Sequence, residues 1–322
     1  MAFLPKYYLG GRLIMLRTKS SQLFYRYYEE WIKVYKVNAI RSVTLTKYYM
    51  TLKWITKLAP TLRLCDLDRR SYQQLINDYA LEHERQTTMD FHHQVKSAIM
   101  DAVDEGYIKR NPTRKIVIKG RKPREKKAKF LSQYDVQKLI RQLDLGPEIN
   151  WDWFILLIVK TGLRFAEALA LTPADFDFTH QLLTINKTWN HRGSTGGFQP
   201  TKNPTSNRKV QLDWQMAMQF SQLIKYAPAE QPIFVKKRVF NSTVNQHLKS
   251  LCNQAEVPVI TVHSLRHTHA SLLLYGGVSI ASVARRLGHS SMTTTQETYL
   301  HIIRELEAKD GEKIMREMAQ LM

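Results

Sequence analysis

Eleven residues near the middle of the chain, Lys119-Gly-Arg-Lys-Pro-Arg-Glu-Lys-Lys-Ala-Lys129, carry seven cationic side chains and a single acid. Like charges at that density repel one another, Gly120 and Pro123 disfavour regular structure, and no apolar position recurs to tie the stretch to a core. A run of this kind reads as a linker, 119–129, and it divides the 322 residues into two parts, each long enough to bury a core of its own. The parts differ in charge: residues 1–129 hold 27 Lys and Arg against 12 Asp and Glu, and residues 130–322 hold 21 against 16. A formal charge of +20 asks for a polyanionic partner, either nucleic acid or an anionic membrane surface. The first part is the stronger electrostatic binder, and Lys122, Arg124, Lys126, Lys127 and Lys129 are its candidate phosphate contacts.

Other classes fall away quickly. The apolar run Trp153-Phe-Ile-Leu-Leu-Ile-Val159 has seven residues, far short of the roughly 18 of a membrane helix, so no membrane anchor is expected. The start, Met1-Ala-Phe-Leu-Pro-Lys6, lacks the basic region and long apolar stretch of a secretory signal. The two cysteines, Cys65 and Cys252, are far apart and form no CxxC, which argues against a disulfide framework or a Cys-based zinc site and for a reducing cytosol.

Before the linker the pattern is helical. Gln22 to Val37 sets Leu23, Phe24, Tyr27, Trp31, Ile32 and Tyr35 at helical spacing. Further helices are expected over Thr44 to Leu58, stopping before Pro60, over Ser71 to Leu81, and over Thr87 to Val103, with Asn111-Pro112 marking the exit. After the linker, Ser132 can cap a helix with Asp135 in its first turn, and Trp151 to Lys160 reads as a buried helix. Gln181 to Thr188 alternates and is rich in β-branched residues, so it predicts a strand, with Arg208 to Leu212 as its partner. Trp189 to Asn207 is then a long hairpin tip. From Val262 the chain is expected to be helical to its end.

Four segments of the second part carry chemistry-bearing residues: Thr161-Gly-Leu-Arg164-Phe-Ala-Glu167, Thr201-Lys202-Asn-Pro-Thr-Ser-Asn-Arg-Lys-Val210, His263-Ser-Leu-Arg266-His267-Thr-His269-Ala-Ser271, and Leu287-Gly-His289-Ser-Ser-Met-Thr-Thr-Thr-Gln-Glu-Thr-Tyr299. Three histidines in the third segment could suggest a metal, but no nearby carboxylate or Cys completes a ligand set, so none is expected.

In these segments the chain resembles the tyrosine recombinases of the phage-integrase type, in the form found in integrases of Gram-positive phages and conjugative elements. The resemblance runs from about Ser20 to the end. It implies a mainly α fold with a small β-hairpin or sheet: a helical core-binding domain over 21–118, the linker, and a mixed α+β catalytic domain over 130–322 that ends in a tail helix. Residues 1–20 would be an N-terminal remnant or arm, too short for the arm-binding domain many such integrases carry. The resemblance implies Arg164, Lys202, His263, Arg266, His289 and Tyr299 as catalytic residues, with Glu167 and His267 supporting them.

The implied reaction suits these residue types. A Tyr299 phenolate attacks phosphorus, forms a phosphotyrosine and releases a 5′-hydroxyl, and the reverse attack reseals a strand without ATP or any cofactor. Arg164 and Arg266 offer planar, permanently charged forks for the non-bridging oxygens. His263 could assist proton removal from Tyr299, His289 could hydrogen-bond the phosphate, and Lys202 could protonate the leaving oxygen. Glu167 would orient an arginine or a histidine, and His267 and His269 would serve helix packing or support.

Two departures accompany the match: Ser264 stands where many relatives have an acid, and His289 and Tyr299 are ten residues apart, one more than in many bacterial relatives. The resemblance further implies double-stranded DNA attachment sites as partners, and a homo-tetramer in which the tail from about Glu312 to Met322 passes between protomers. An excisionase and a DNA-bending protein are among the partners such a reaction can use, at a cytoplasmic, nucleoid-associated location. A DNA-binding protein without catalysis and a type IB-like topoisomerase are the alternative readings.

Overall fold

The computed structural model describes residues 21–122, 128–191, 196–201, 203–299 and 318–319. Its chain divides into two compact units, Met1–Glu125 and Lys126–Met322.

In the first unit, α1 (Phe24–Tyr35), α2 (Ser42–Leu58), α3 (Arg69–Ala80) and α4 (Arg85–Asp104) surround an aromatic core. On α1 the buried residues are Phe24, Tyr27, Tyr28, Trp31 and Ile32; four of the six expected stripe positions are among them, whereas Leu23 is half-buried and Tyr35 turns outward, its hydroxyl donating to Glu105 at 2.9 Å. The Asp68 carboxylate accepts from the Ser71 N–H and starts α3. In contrast, α2 buries only Thr51 and Ile55. Its other faces present Lys47 and Lys53 to solvent, and it contains no acid.

The expected linker does not begin free. Arg121 N–H donates to the His83 carbonyl at 2.8 Å, and Arg121 forms a parallel bridge with Glu84. Backbone bonding pins this end to the first unit, and a search for apolar periodicity does not register such bonds.

The second unit opens on α5 (Gln133–Arg141), where Ser132 and Asp135 cap each other reciprocally as the sequence predicts. Helix α6 (Trp151–Thr161) is buried on nearly every side and lies against α10 (Val262–Tyr275). It stops at Gly162, whose φ of 70° is left-handed. A Cβ there would sit 2.6 Å from the His269 ring and 2.9 Å from Leu287, so glycine is required for both backbone and space. A short helix, α7 (Phe165–Leu169), follows.

Two small antiparallel sheets come next. β1 (Phe176–Asp177), β2 (Leu182–Ile185) and β5 (Arg208–Gln211) form one in the order β1-β2-β5, with Ile185 opposite Arg208. β3 (Lys187–Trp189) and β4 (Phe198–Pro200) form the other. The single strand expected over Gln181 to Thr188 is therefore two strands, because its halves pair in different sheets. The expected hairpin tip holds β4 and a 3-10 turn, Pro204–Ser206.

The unit also contains α8 (Trp214–Leu223) and α9 (Asn241–Gln254), neither of which the sequence pattern predicts. After α10 the expected continuous helix is interrupted at Gly276-Gly277, then resumes as α11 (Ile280–Leu287) and as a helical segment over 292–299. The expected tail helix lies outside the described residues, except for residues 318–319. Among the described residues no helix is long and apolar enough to cross a membrane.

Candidate active site

Arg164 stands at the N-terminus of α7, held by the turn at Gly162. Glu167, 2% exposed, accepts from the Arg164 backbone N–H at 3.0 Å and from Arg164 Nη1 at 2.6 Å. Arg164 Nη2 donates to the Gly288 carbonyl at 3.2 Å. Its side chain remains 36% exposed, so an anion from solvent can reach it.

Arg266 is buried. Nη1 donates to the Gly162 carbonyl at 2.6 Å and Nη2 to the Leu287 carbonyl at 2.7 Å, which ties the ends of α6 and α11 together. Burial, and then the charge of Arg164, push its pKa down to about 9, so it remains a cation at neutral pH. His289 follows the turn at Gly288, with Nδ1 2.8 Å from the Thr295 hydroxyl. Burial and the charges of Arg266, Arg164 and Arg208 push its pKa down to about 4. His263 is pushed down as well, by burial, Arg266 and Arg164. Arg164, His263, Arg266 and His289 thus share one electrostatic neighbourhood, brought together from α7, α10 and the loop after α11.

Tyr299, 2% exposed, packs among Ala270, Leu274, Val283 and Leu287. Its hydroxyl lies 2.9 Å from His267 Nδ1. Burial pushes the phenol up to about 12, opposed by the Arg266 charge. With His263, His267, Lys129 and Phe130 it lines a pocket of about 400 Å³. Of the two histidines, His267, expected in packing or support, is the one that meets this phenol, while His263, expected to assist its deprotonation, lies one turn earlier. The two histidines share a face of α10, Tyr299 meets the later turn, and the His263 ring contacts His267 edge-on at 4.8 Å between centroids. Burial and the neighbouring His263 push His267 down to about 4, so it is neutral at physiological pH.

His269 faces elsewhere: Nδ1 meets the Val159 carbonyl at 2.8 Å, and Nε2 accepts from Arg286 Nε at 3.0 Å. The three histidines of α10 therefore serve different partners, and the described residues contain no group of three or more His, Cys, Asp or Glu placed to hold a metal ion. Lys202, Arg124, Lys126 and Lys127 lie outside the described residues, while Lys122 and Lys129 are exposed.

Sequence reasoning does not find Arg208 or Thr295. Thr295 lies four residues before Tyr299 and is fully buried, so one helical turn both orients His289 and carries the phenol. Arg208 Nη2 donates to Glu167 Oε2 at 2.9 Å. The one signal for Arg208 in the sequence is its place on the strand that follows the Lys202 loop.

Comparison with known proteins places the chain. The phage integrase family matches residues 129–305, more than half of the chain, and the protein belongs to that family. It is a tyrosine recombinase, an enzyme that cuts and rejoins DNA strands in site-specific recombination, in the integration or excision of mobile elements. The integrase of Staphylococcus phage L54a is 25% identical over 91% of this chain and 95% of its own length. The ICEBs1 integrase of Bacillus subtilis is 27% identical over 68% of this chain and 62% of its own length. In structure, the chain is similar to the Tn1549 transposon integrase solved with a circular intermediate DNA, with a TM-score of 0.73 at 16% identity, covering 86% of this chain and 94% of that one. At that identity the likeness shows the fold.

Proposed function

We propose that Tyr299 is the nucleophile and that Arg164 and Arg266 form the clamp for the scissile phosphate of a double-stranded attachment site. The supporting observation is the convergence of Arg164, Arg266, His263 and His289 beside the Tyr299 pocket. Attack forms the bond from the phenolate oxygen to phosphorus and breaks the bond to the 5′-oxygen, leaving a 3′-phosphotyrosine. The phenol proton passes to neutral His267, its hydrogen-bonding neighbour. Negative charge gathering on the non-bridging oxygens meets the exposed Arg164 and the buried, fixed Arg266, with His289 as a further donor. Lys202 protonates the leaving oxygen. The buried phenol reaches the phosphate once segment 292–299 shifts from its packed position, which Thr295 makes a concerted change with His289.

The first unit serves as the core-binding domain. The acid-free, exposed face of α2 with Lys47 and Lys53, and Lys122 in the linker, supply its phosphate contacts, and Lys129 adds one from the second unit. A tetramer on two sites, tail exchange between protomers through 312–322, an excisionase and a DNA-bending protein complete this reading, with the enzyme acting on DNA in the cytoplasm at the nucleoid.

Tyr299→Phe tests it. The variant should bind a nicked core-site duplex as the wild type does and form no covalent adduct, and peptide mapping of the wild-type adduct should return residue 299. An adduct that survives the substitution assigns the nucleophile elsewhere.

A further inference from the structure

We infer that Arg208 is a positioning residue for the phosphate clamp, acting on Arg164 through Glu167; the inference rests on the active site proposed above. The side chain of Arg208 is 5% exposed, and it donates in three directions. Nε reaches the Arg286 carbonyl at 2.6 Å, Nη1 the Ser206 carbonyl at 2.9 Å, and Nη2 Glu167 Oε2 at 2.9 Å. Glu167 also holds the Arg164 guanidinium and backbone N–H, and Arg164 reaches on to the Gly288 carbonyl. The result is a closed circuit from α11 through β5 and α7 back to the end of α11. Gly288 completes it by close approach: a Cβ there would fall 2.9 Å from Arg208 Nη1.

The circuit has an electrostatic consequence. Glu167 is a carboxylate whose side chain is 1% exposed. Burial works against its ionisation, and the charges of Arg208, Arg164 and Arg266 outweigh that and keep it ionised. With Arg164 as its only ion-pair partner, Glu167 would cancel the charge that Arg164 offers to a phosphate and draw the guanidinium inward. Arg208 takes a share of the carboxylate from its buried side, so Arg164 keeps positive charge facing solvent. A lysine cannot reproduce this, because a single ammonium cannot span the Arg286 carbonyl and Glu167 as a planar fork does.

The test compares single-turnover adduct formation on two nicked core-site duplexes, one with the natural scissile phosphate and one with an uncharged methylphosphonate in its place. Arg208→Lys and Arg208→Met should slow the phosphate reaction by about tenfold or more, with duplex affinity unchanged, and the deficit should shrink on the methylphosphonate, which asks less of Arg164. Adding Glu167→Gln to Arg208→Met should restore part of the missing rate, since it removes the charge left unbalanced. Equal deficits on both duplexes, or a double variant slower than Arg208→Met alone, would overturn the inference and leave Arg208 a structural residue. If Arg208→Met does not melt cooperatively, Arg208→Lys and the charge-balanced double variant decide on the same two duplexes. A wild-type protein that forms no Tyr299-dependent adduct on the phosphate duplex refutes the proposed active site itself, whatever Arg208 does.

Discussion

Among the described residues, the polar residues buried in the first unit, its tyrosines aside, are Thr51, Thr88, His92 and Thr113, whereas the second unit buries Asp152, Glu167, Asp175, Arg266 and His269 besides its hydroxyls. His92 is itself pushed down to about 4, chiefly by burial, so none of the four buried in the first unit is charged at neutral pH. Yet the first part of the chain is the more basic. One unit keeps its charges outside, around stacked rings such as Tyr79 between His83 and Phe91. The other takes ions into its interior, where desolvation is costly unless hydrogen bonds answer it. The first arrangement suits adhesion to a polyanion, which needs charge count and reach. The second suits catalysis, which needs a few charges fixed in place before the substrate arrives.

The sharpest way to break this contrast is to remove a buried charge. Arg266→Met leaves the Gly162 and Leu287 carbonyls without donors, at about 2–3 kcal/mol of stability. It should also cut the rate of adduct formation by roughly 10²-fold or more. Charge reversal at exposed Lys47 or Lys53 in the first unit should leave the rate at saturating DNA unchanged and raise the protein concentration needed for binding. If Arg266→Met weakens binding and spares the rate, the buried ions are scaffolding.

Acidification should separate the units next. His263, His267, His269 and His289 in the second unit all have pKa values below the ordinary histidine value, the last three at about 4, 3 and 4, each mainly through burial. The unfolded chain therefore binds protons that the folded unit refuses, so stability rises with pH across this range. It declines as pH falls from about 6.5 toward 4. Among its described residues the first unit has one such group, His92. Hydrogen exchange, corrected for intrinsic rates, should show protection disappearing from α6 and α10 at pH 5 well before it disappears from α1 and α4. Equal decline in both units would remove the histidines from the explanation.

How much of the molecule is legible in the chain follows the same division. Where a local rule decides the structure, the sequence shows it: the α1 stripe, the Ser132–Asp135 cap and the stop at Gly162 are all readable from neighbours in sequence. The candidate site is legible only through a resemblance rather than from spacing, and four of its expected residues, Arg164, His263, Arg266 and His289, share one electrostatic neighbourhood. What escapes depends on pairings across long stretches of chain. Arg208 is one of 48 basic residues, and its partner Glu167 lies on another element. The splitting of the expected strand at Asn186 depends on which strands its halves meet. The burial of Val244, Leu248, Leu251 and Cys252 on α9 follows helical spacing but is diluted by Asn, Gln and Ser. The contact between His267 and Tyr299 escapes because the helical face His267 shares with His263 does not reveal which of the two turns the phenol will meet.

Smaller effects sharpen the outer half of the comparison. Lys53→Gln and Lys122→Gln should each flatten the plot of log affinity against log salt by about 0.9 for every phosphate the lysine neutralises, with no change in adduct chemistry at saturation. An unchanged slope would place these lysines away from the DNA backbone.

The smallest expected effect concerns an ion pair of like chemistry in opposite surroundings. Lys57 and Glu82 meet at 3.0 Å with side chains 57% and 49% exposed, whereas Arg208 and Glu167 meet at 2.9 Å with 5% and 1% exposed. Water screens the first pair, and both side chains give up entropy to hold it. Lys57 also lies 4.3 Å from the Trp54 ring, an interaction that does not need Glu82. Glu82→Gln should therefore leave the melting temperature where it is, at low and high salt alike. A clear drop that grows at low salt would mean that the first unit, too, depends on fixed charges, and the division between surface and buried electrostatics would fail on its simplest case.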